Sequence, residues 1–172
     1  MAKILRDEPE IEYIGARPYQ KVSPKRIHAV VQLAVAMILR RCSDGQGVVG
    51  PEWRFKLERG TELVPDVAYV SYDRIRPLTD DEVEEPPFSP DIAVEVRSPP
   101  HQPKLTEEKI RQYLSHAGTL VLDVDSFARV VYAHTNESEC AVYRRGERFS
   151  SAVVPWLRFD VDELFVDIDI PR

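Results

Sequence analysis

Hydrophobic positions change period several times along the chain, and each change marks a predicted element. Residues 10–14, "EIEYI", alternate as a short first strand that ends at Gly15. "SPKRIHAVVQLAVAMILRRC" shifts to a helical period, with Ile27, Val30, Val31, Ala34, Val35, Ile38 and Leu39 recurring at i, i+3 and i+4. Ser23 suits its cap and Pro24 its first turn, and "DGQG" stops it. From Val48 to Leu57 the period is two, placing Trp53, Phe55 and Leu57 on one face and Glu52, Arg54 and Lys56 on the other. "ERGTEL" predicts a hairpin turn into the apolar strand "PDVAYVS", residues 65–71, headed by Asp66.

The acidic, proline-bearing stretch from Arg74 to Pro90 has neither period and reads as a mobile loop, long enough to hold a little structure. "PDIAVEVRSPP", residues 90–100, is a third strand, ended by prolines that lack ladder donors. "LTEEKIRQYLSHAG" predicts a helix with Leu105, Ile110, Tyr113, Leu114 and Ala117 broadly on one side, Thr106 as cap and Gly118 as stop. "TLVLDVD", "ARVVYAH" and "CAVYRR" follow as strands, the last two as a meander, and "VPWLRFDVDELF" closes with a short strand and a helical turn. The order αβββαβββ predicts an α/β (α+β) fold, one central mixed β-sheet flanked by helices. A chain of 172 residues fits one domain, with a core over about residues 10–166.

Composition narrows the functional classes. No apolar run approaches the roughly 20 residues that cross a bilayer, so no membrane partner is expected. "MAKILRDEPEIEYIG" lacks the apolar core and cleavage site of a signal peptide, so the expected location is cytoplasmic. Cys42 and Cys140 lie outside any CxxC or Cys/His pattern and are expected to be buried thiols. The four histidines show no ligand spacing. A net charge of −6 counts against a nucleic-acid partner, but ten acidic residues sit in two stretches, 79–85 and 160–169, and the remainder carries +4.

The third strand raises the chemical question. In a period of two, Asp91, Ala93, Glu95 and Arg97 face one way while Ile92, Val94 and Val96 face the other. If this strand pairs with the one before it, Asp66 can approach Glu95, and two carboxylates from adjacent strands make a hard oxygen site suited to Mg²⁺ or Mn²⁺. Asp91 is no substitute, because four residues of strand separate it from Glu95 by roughly 13 Å. Blander readings stand beside this one: Asp66 as a turn aspartate after proline, and Glu95 as the ion-pair partner of Arg97, Arg54 or Lys56. Glu52 is a further candidate ligand.

These residues resemble the PD-(D/E)XK nuclease superfamily: "PD", then some thirty residues later "EVR", then a lysine. More specifically, "YIGARPYQKVSPKRIH", "FKLERGTELVPDVAYVS", "PDIAVEVRSPP" and "KIRQYLSHAGTLVLDVD" look like the Uma-type family of restriction endonucleases, over about residues 13–165. The resemblance implies a restriction-endonuclease-like fold and a metal-dependent endonuclease acting on DNA. Asp66 would be the motif aspartate and Glu95 the second acidic ligand. The superfamily's usual lysine is replaced by Arg97, which could stabilise charge on the phosphate but could not serve as a general base, and Lys109 looks like its displaced counterpart, so the third role falls to one of these two. Lys109 shares a helix face with Tyr113, four residues on. The implied chemistry is attack by a metal-activated water, with Lys109 orienting or deprotonating it. His28 lies in the family's early helix and can approach the site or make a structural contact. Nucleases of this fold often pair to cut two strands, so a homodimer is expected. The rival expectation is a non-catalytic binding or assembly protein that keeps the fold and offers an acidic surface to a partner.

Overall fold

The computed structural model describes residues 10–21, 24–99 and 102–170. The first two strands, β1 (Ile11–Ile14) and β2 (Arg17–Gln20), form an antiparallel hairpin, of which sequence periodicity shows only β1. Helix α1 (Arg26–Cys42) buries His28, Val31, Val35, Ile38 and Leu39 along one stripe. Its N-cap is Lys25, without a side-chain cap, and the expected cap Ser23 lies outside the described residues.

The stretch read as one strand from Val48 to Leu57 is two. β3 (Gly47–Pro51) and β4 (Phe55–Glu58) join different sheets, because the backbone turns at Glu52, whose φ is 51°. β4 returns as β5 (Thr61–Leu63) through the expected turn at Gly60. β6 (Val67–Ser71) follows, with all but its last residue buried.

The acidic stretch is ordered, contrary to expectation. It holds two short helices, α2 (Tyr72–Ile75) and α3 (Asp80–Glu84). Thr79 and Glu82 form a reciprocal capping box on α3 that satisfies orphan N–H groups at its start. Phe88 is pinned beneath the Arg74 guanidinium at 4.1 Å.

β7 (Ile92–Val96) leads through α4 (Pro103–Ser115) to β8 (Leu120–Asp125), which runs parallel to β7 as a helical crossover allows. Pro103 opens α4 at its first turn, so the helix begins before the expected cap Thr106. β9 (Val130–His134) and β10 (Cys140–Arg144) complete the meander, and a hairpin of β11 (Arg148–Ser150) and β12 (Arg158–Asp160) precedes a 3₁₀ segment, Val161–Phe165. Neither cysteine is a buried thiol: Cys42 is half-buried and Cys140 exposed, and both are free.

The six-stranded sheet runs β10-β9-β8-β7-β6-β3 and is mixed. The four-stranded sheet runs β2-β1-β5-β4. On one face of the large sheet, Ile92, Val94 and Val96 pack with α1 and with Phe149, Leu157, Phe159 and Phe165 of the C-terminal segment. On the other face, Ala93, Ala68, Val70 and Val121 pack with Ile110 and Tyr113 of α4 and with Phe55 and Leu63 of the small sheet. The central strands are therefore covered on both sides, which is why β6 and β7 read as nearly unbroken apolar runs. Among the described residues no helix is long and apolar enough to cross a membrane.

The α4–β8 turn holds Tyr113 in register. Ala117 adopts the left-handed conformation, φ 69°, where glycine is the usual choice. Gly118 is needed for another reason: a Cβ there would lie 2.5 Å from the Tyr113 carbonyl oxygen and 2.9 Å from Ser89 Oγ. Gly118→Ala is expected to lower unfolding free energy by about 1–3 kcal/mol in urea titrations. Ala117→Gly is expected to raise it by up to about 1 kcal/mol, as relief of left-handed strain outweighs added chain entropy.

Candidate active site

β6 and β7 pair antiparallel, with Val67 opposite Val94. One further step of that register sets Asp66 opposite Glu95 at the end of the sheet, the approach expected from adjacent strands. Asp66 is 3% exposed, and both its oxygens are engaged. Oδ2 accepts the Val96 backbone N–H at 2.7 Å and lies 3.0 Å from His28 Nε2. Oδ1 accepts from Lys21 Nζ at 2.9 Å. His28 Nδ1 is buried and has no partner among the described residues, which places the ring proton of a neutral imidazole on Nε2, toward Asp66.

Glu95 is held from α4. Lys109 Nζ donates to Oε2 at 2.6 Å and Tyr113 Oη to Oε1 at 2.8 Å, so the shared helix face of Lys109 and Tyr113 is aimed at one carboxylate. Lys109 is buried and also reaches the Glu12 carboxylate at 3.0 Å. Glu12 is itself buried on β1 and accepts the Val64 N–H at 2.8 Å. Glu12, His28, Asp66, Glu95 and Lys109 line a cavity of about 120 Å³ with Lys21, Gln102, Leu105 and Thr106 at its walls.

Three contributors escape sequence reasoning. Glu12 lies in "IEYI", where Ile11 and Tyr13 suggest the inward face, yet the buried residues are Glu12 and Ile14. Lys21 follows β2 with no periodic signal. Gln32 donates to the Asp66 carbonyl at 2.7 Å and to Glu52 Oε1 at 2.8 Å; its only signal is a position four residues after His28 on α1. Glu52 sits at the rim, 43% exposed along its side chain.

Arg97 borders the same cavity, but its guanidinium is committed to carboxylates of β8. Its Nε and Nη2 grip both oxygens of Asp123 at 2.9 and 2.6 Å, Nη1 reaches Asp125 at 3.1 Å, and the guanidinium stacks over Tyr132 at 4.4 Å. Glu95 is therefore paired with none of Arg97, Arg54 and Lys56; the last two bind Glu10, Glu62 and Glu85. Asp91 is occupied far along the strand, accepting from the Ser71 N–H at 2.7 Å and from Arg74 at 2.9 Å.

The two facing carboxylates are driven apart electrostatically. Burial alone would raise the Asp66 pKa, but the His28 hydrogen bond and the Lys21 and Lys109 charges bring it well below the usual carboxylate range. Glu95 is pushed up to about 7: burial outweighs the pull of Lys109, and Asp66 and Glu12 add repulsion. Burial also works against the charge on Lys109, yet Glu95 and Glu12 leave its pKa raised, so the ammonium keeps its proton and acts as a donor. Burial, then Glu95 and Glu12, hold the Tyr113 phenol well above its ordinary value, so it too stays a donor.

Among the described residues no three His, Cys, Asp or Glu side chains are already gathered as a metal-holding group. Lysine ammonium groups bridge the carboxylates instead, Lys109 between Glu12 and Glu95 and Lys21 between Glu52 and Asp66. Glu12, Asp66 and Glu95 bring hard carboxylate oxygens to the cavity, a donor type that fits a divalent cation such as Mg²⁺ or Mn²⁺.

A family model described as "Uma2: Putative restriction endonuclease" matches residues 1–162. No curated protein matches the chain. A solved structure from Anabaena variabilis ATCC 29413, described as "a putative nuclease belonging to DUF820", matches with TM-score 0.81 over 95% of this chain and 93% of its own, at 20% identity. At that identity the likeness is one of fold.

Two outcomes follow from this geometry. Arg97→Met strands the buried Asp123 carboxylate and should destabilise the protein by about 3–5 kcal/mol in denaturant titrations, with Arg97→Met/Asp123→Asn recovering most of the loss. Folding raises the Glu95 pKa, so its contribution to stability is complete below the unfolded value of 4.5 and is lost as pH rises to about 7. The Asp66 contribution has the opposite sign and changes only at more acid pH. In the metal-free protein, the stability of wild type relative to Glu95→Gln should therefore fall between pH 5 and 7.5, measured by urea titration at each pH.

Proposed function

The chain belongs to the Uma2 family, and from that premise we propose that it is a nuclease, hydrolysing phosphodiester bonds of DNA with Mg²⁺ or Mn²⁺. The observation that carries this reading is the convergence of Asp66, Glu95 and Lys109 on one cavity, with Glu12 as a third buried carboxylate. Asp66 and Glu95 are the cation ligands in this reading. Asp66 is kept ionised by His28, Lys21 and the Val96 N–H, and so offers a fixed negative charge. Glu95 is oriented by Tyr113 and by Lys109. When bound, the cation supplies charge against the phosphate and lowers the pKa of water.

Lys109 is the group that remains positive beside the reacting phosphate. Its proton is held by two carboxylates, so it stabilises negative charge developing on a phosphate oxygen and hydrogen-bonds an incoming water. Arg97, committed to Asp123 and Asp125, supports the strand that carries Glu95. With one such site per chain, cutting both strands of a duplex calls for two copies, which is the basis for proposing a homodimer.

With supercoiled plasmid and Mn²⁺, wild type is expected to nick or linearise DNA, while Asp66→Asn, Glu95→Gln and Lys109→Met each slow cleavage by about 100-fold or more. Gel densitometry of each time course checks this. Cleavage by Glu95→Gln at the wild-type rate would overturn the site; cation binding without cleavage by wild type would favour a non-catalytic binding protein.

A further inference from the structure

Lys21 has all three N–H donors of its ammonium engaged: Glu52 Oε2 at 2.6 Å, the Val64 carbonyl oxygen at 2.8 Å and Asp66 Oδ1 at 2.9 Å. The side chain comes from the chain just beyond β2, lines the cavity and is only 15% exposed. Its three acceptors are hard oxygens, two of them anionic, which is a donor set for a hard cation, here satisfied at the longer distances of an ammonium. Gln32 and the chain turn at Glu52 hold this nest from the outside. Asp66 Oδ2 is taken up by His28 and the Val96 N–H, so Oδ1 is the oxygen left to face cations, and Lys21 already occupies one side of it.

Lys109 answers a different need. It lies within α4, is buried, and neutralises Glu12 and Glu95 on the far side of the cavity. The two lysines thus divide the four carboxylates between them, Lys21 taking Glu52 and Asp66 and Lys109 taking Glu12 and Glu95.

We propose that Lys21 is a resident cation of the site: its ammonium, fixed in the Glu52–Val64–Asp66 nest, holds a second cation position and confines the chain to a single divalent ion. This inference rests on the divalent-cation reading of the site. Removing the Lys21 charge opens the nest, whose oxygens then accept a second ion; restoring a charge there closes it.

The test counts Mn²⁺ ions bound by the full chain, from free-Mn²⁺ electron paramagnetic resonance titrations. Wild type and Lys21→Arg should bind one ion, Lys21→Met two, and Lys21→Met/Glu52→Gln one again. A cooperative thermal melt is required of every variant, and Lys21→Gln replaces Lys21→Met in the count if the latter does not melt cooperatively. Two ions in wild type, or one ion in Lys21→Met beside one in wild type, overturns the resident-cation role and leaves the divalent-cation reading standing. One ion in Lys21→Met and none in wild type would make Lys21 a competitor for a single position and also overturns it. No ion in any protein overturns the divalent-cation reading itself.

Discussion

Four carboxylates brought to one end of a β-sheet repel one another, and this repulsion is the constraint around which the site is built. Asp66 and Glu95 are forced together because β6 and β7 pair as adjacent antiparallel strands. Glu12 arrives from β1 and Glu52 from the turn after β3. Burial of Glu12, Asp66 and Glu95 removes most of the water that would otherwise screen them, so compensation has to come from the protein, while Glu52 stays partly exposed. It comes from two ammonium groups that each bridge a pair of carboxylates, supported by a phenol, an imidazole and a backbone N–H. Burial, with added repulsion from Asp66 and Glu12, still carries the Glu95 pKa up to about 7 against the pull of Lys109. A pair of neighbouring carboxylates pushed in opposite directions is characteristic of functional sites more than of structural ion pairs.

Topology explains why the cation beside Glu95 comes from a helix. Two residues beyond Glu95, the chain reaches the register of Asp125 on the parallel neighbour β8, which begins to leave the sheet there. A side chain at 97 therefore meets the acidic end of β8 where that end borders the cavity. An arginine suits that place, since its planar fork matches both oxygens of Asp123 and still stacks on Tyr132. The crossover helix α4, which must return along the same face to start β8, passes over Glu95 and offers Lys109 and Tyr113 one turn apart. Gly118 sets how tightly that return is made.

Much of the scaffold was legible in the sequence. The α1 stripe, the β4–β5 turn and the β9–β10 meander all follow from local periodicity and turn chemistry. Period two also aimed Glu95 away from Ile92, Val94 and Val96, and sequential strand pairing suggested Asp66 as its neighbour. Failures occurred where tertiary contacts overrode local pattern. One alternating run was split at Glu52 because two sheets had to diverge there, and an acidic stretch that reads as loop was ordered by a capping box and by the half-buried Phe88 stacked under Arg74.

The sequence alone determined which side chains could carry chemistry and on which strand or helix they sit, since periodicity and propensity are local properties. Only the tertiary structure decided which charges meet. Glu12 is 97 residues from Lys109 and Lys21 is 45 from Asp66, and no local period relates such positions. Their pairing, and the inward turn of Glu12 against its own alternation, arise because burying several like charges has a low free energy only when opposite charges from distant segments are packed among them.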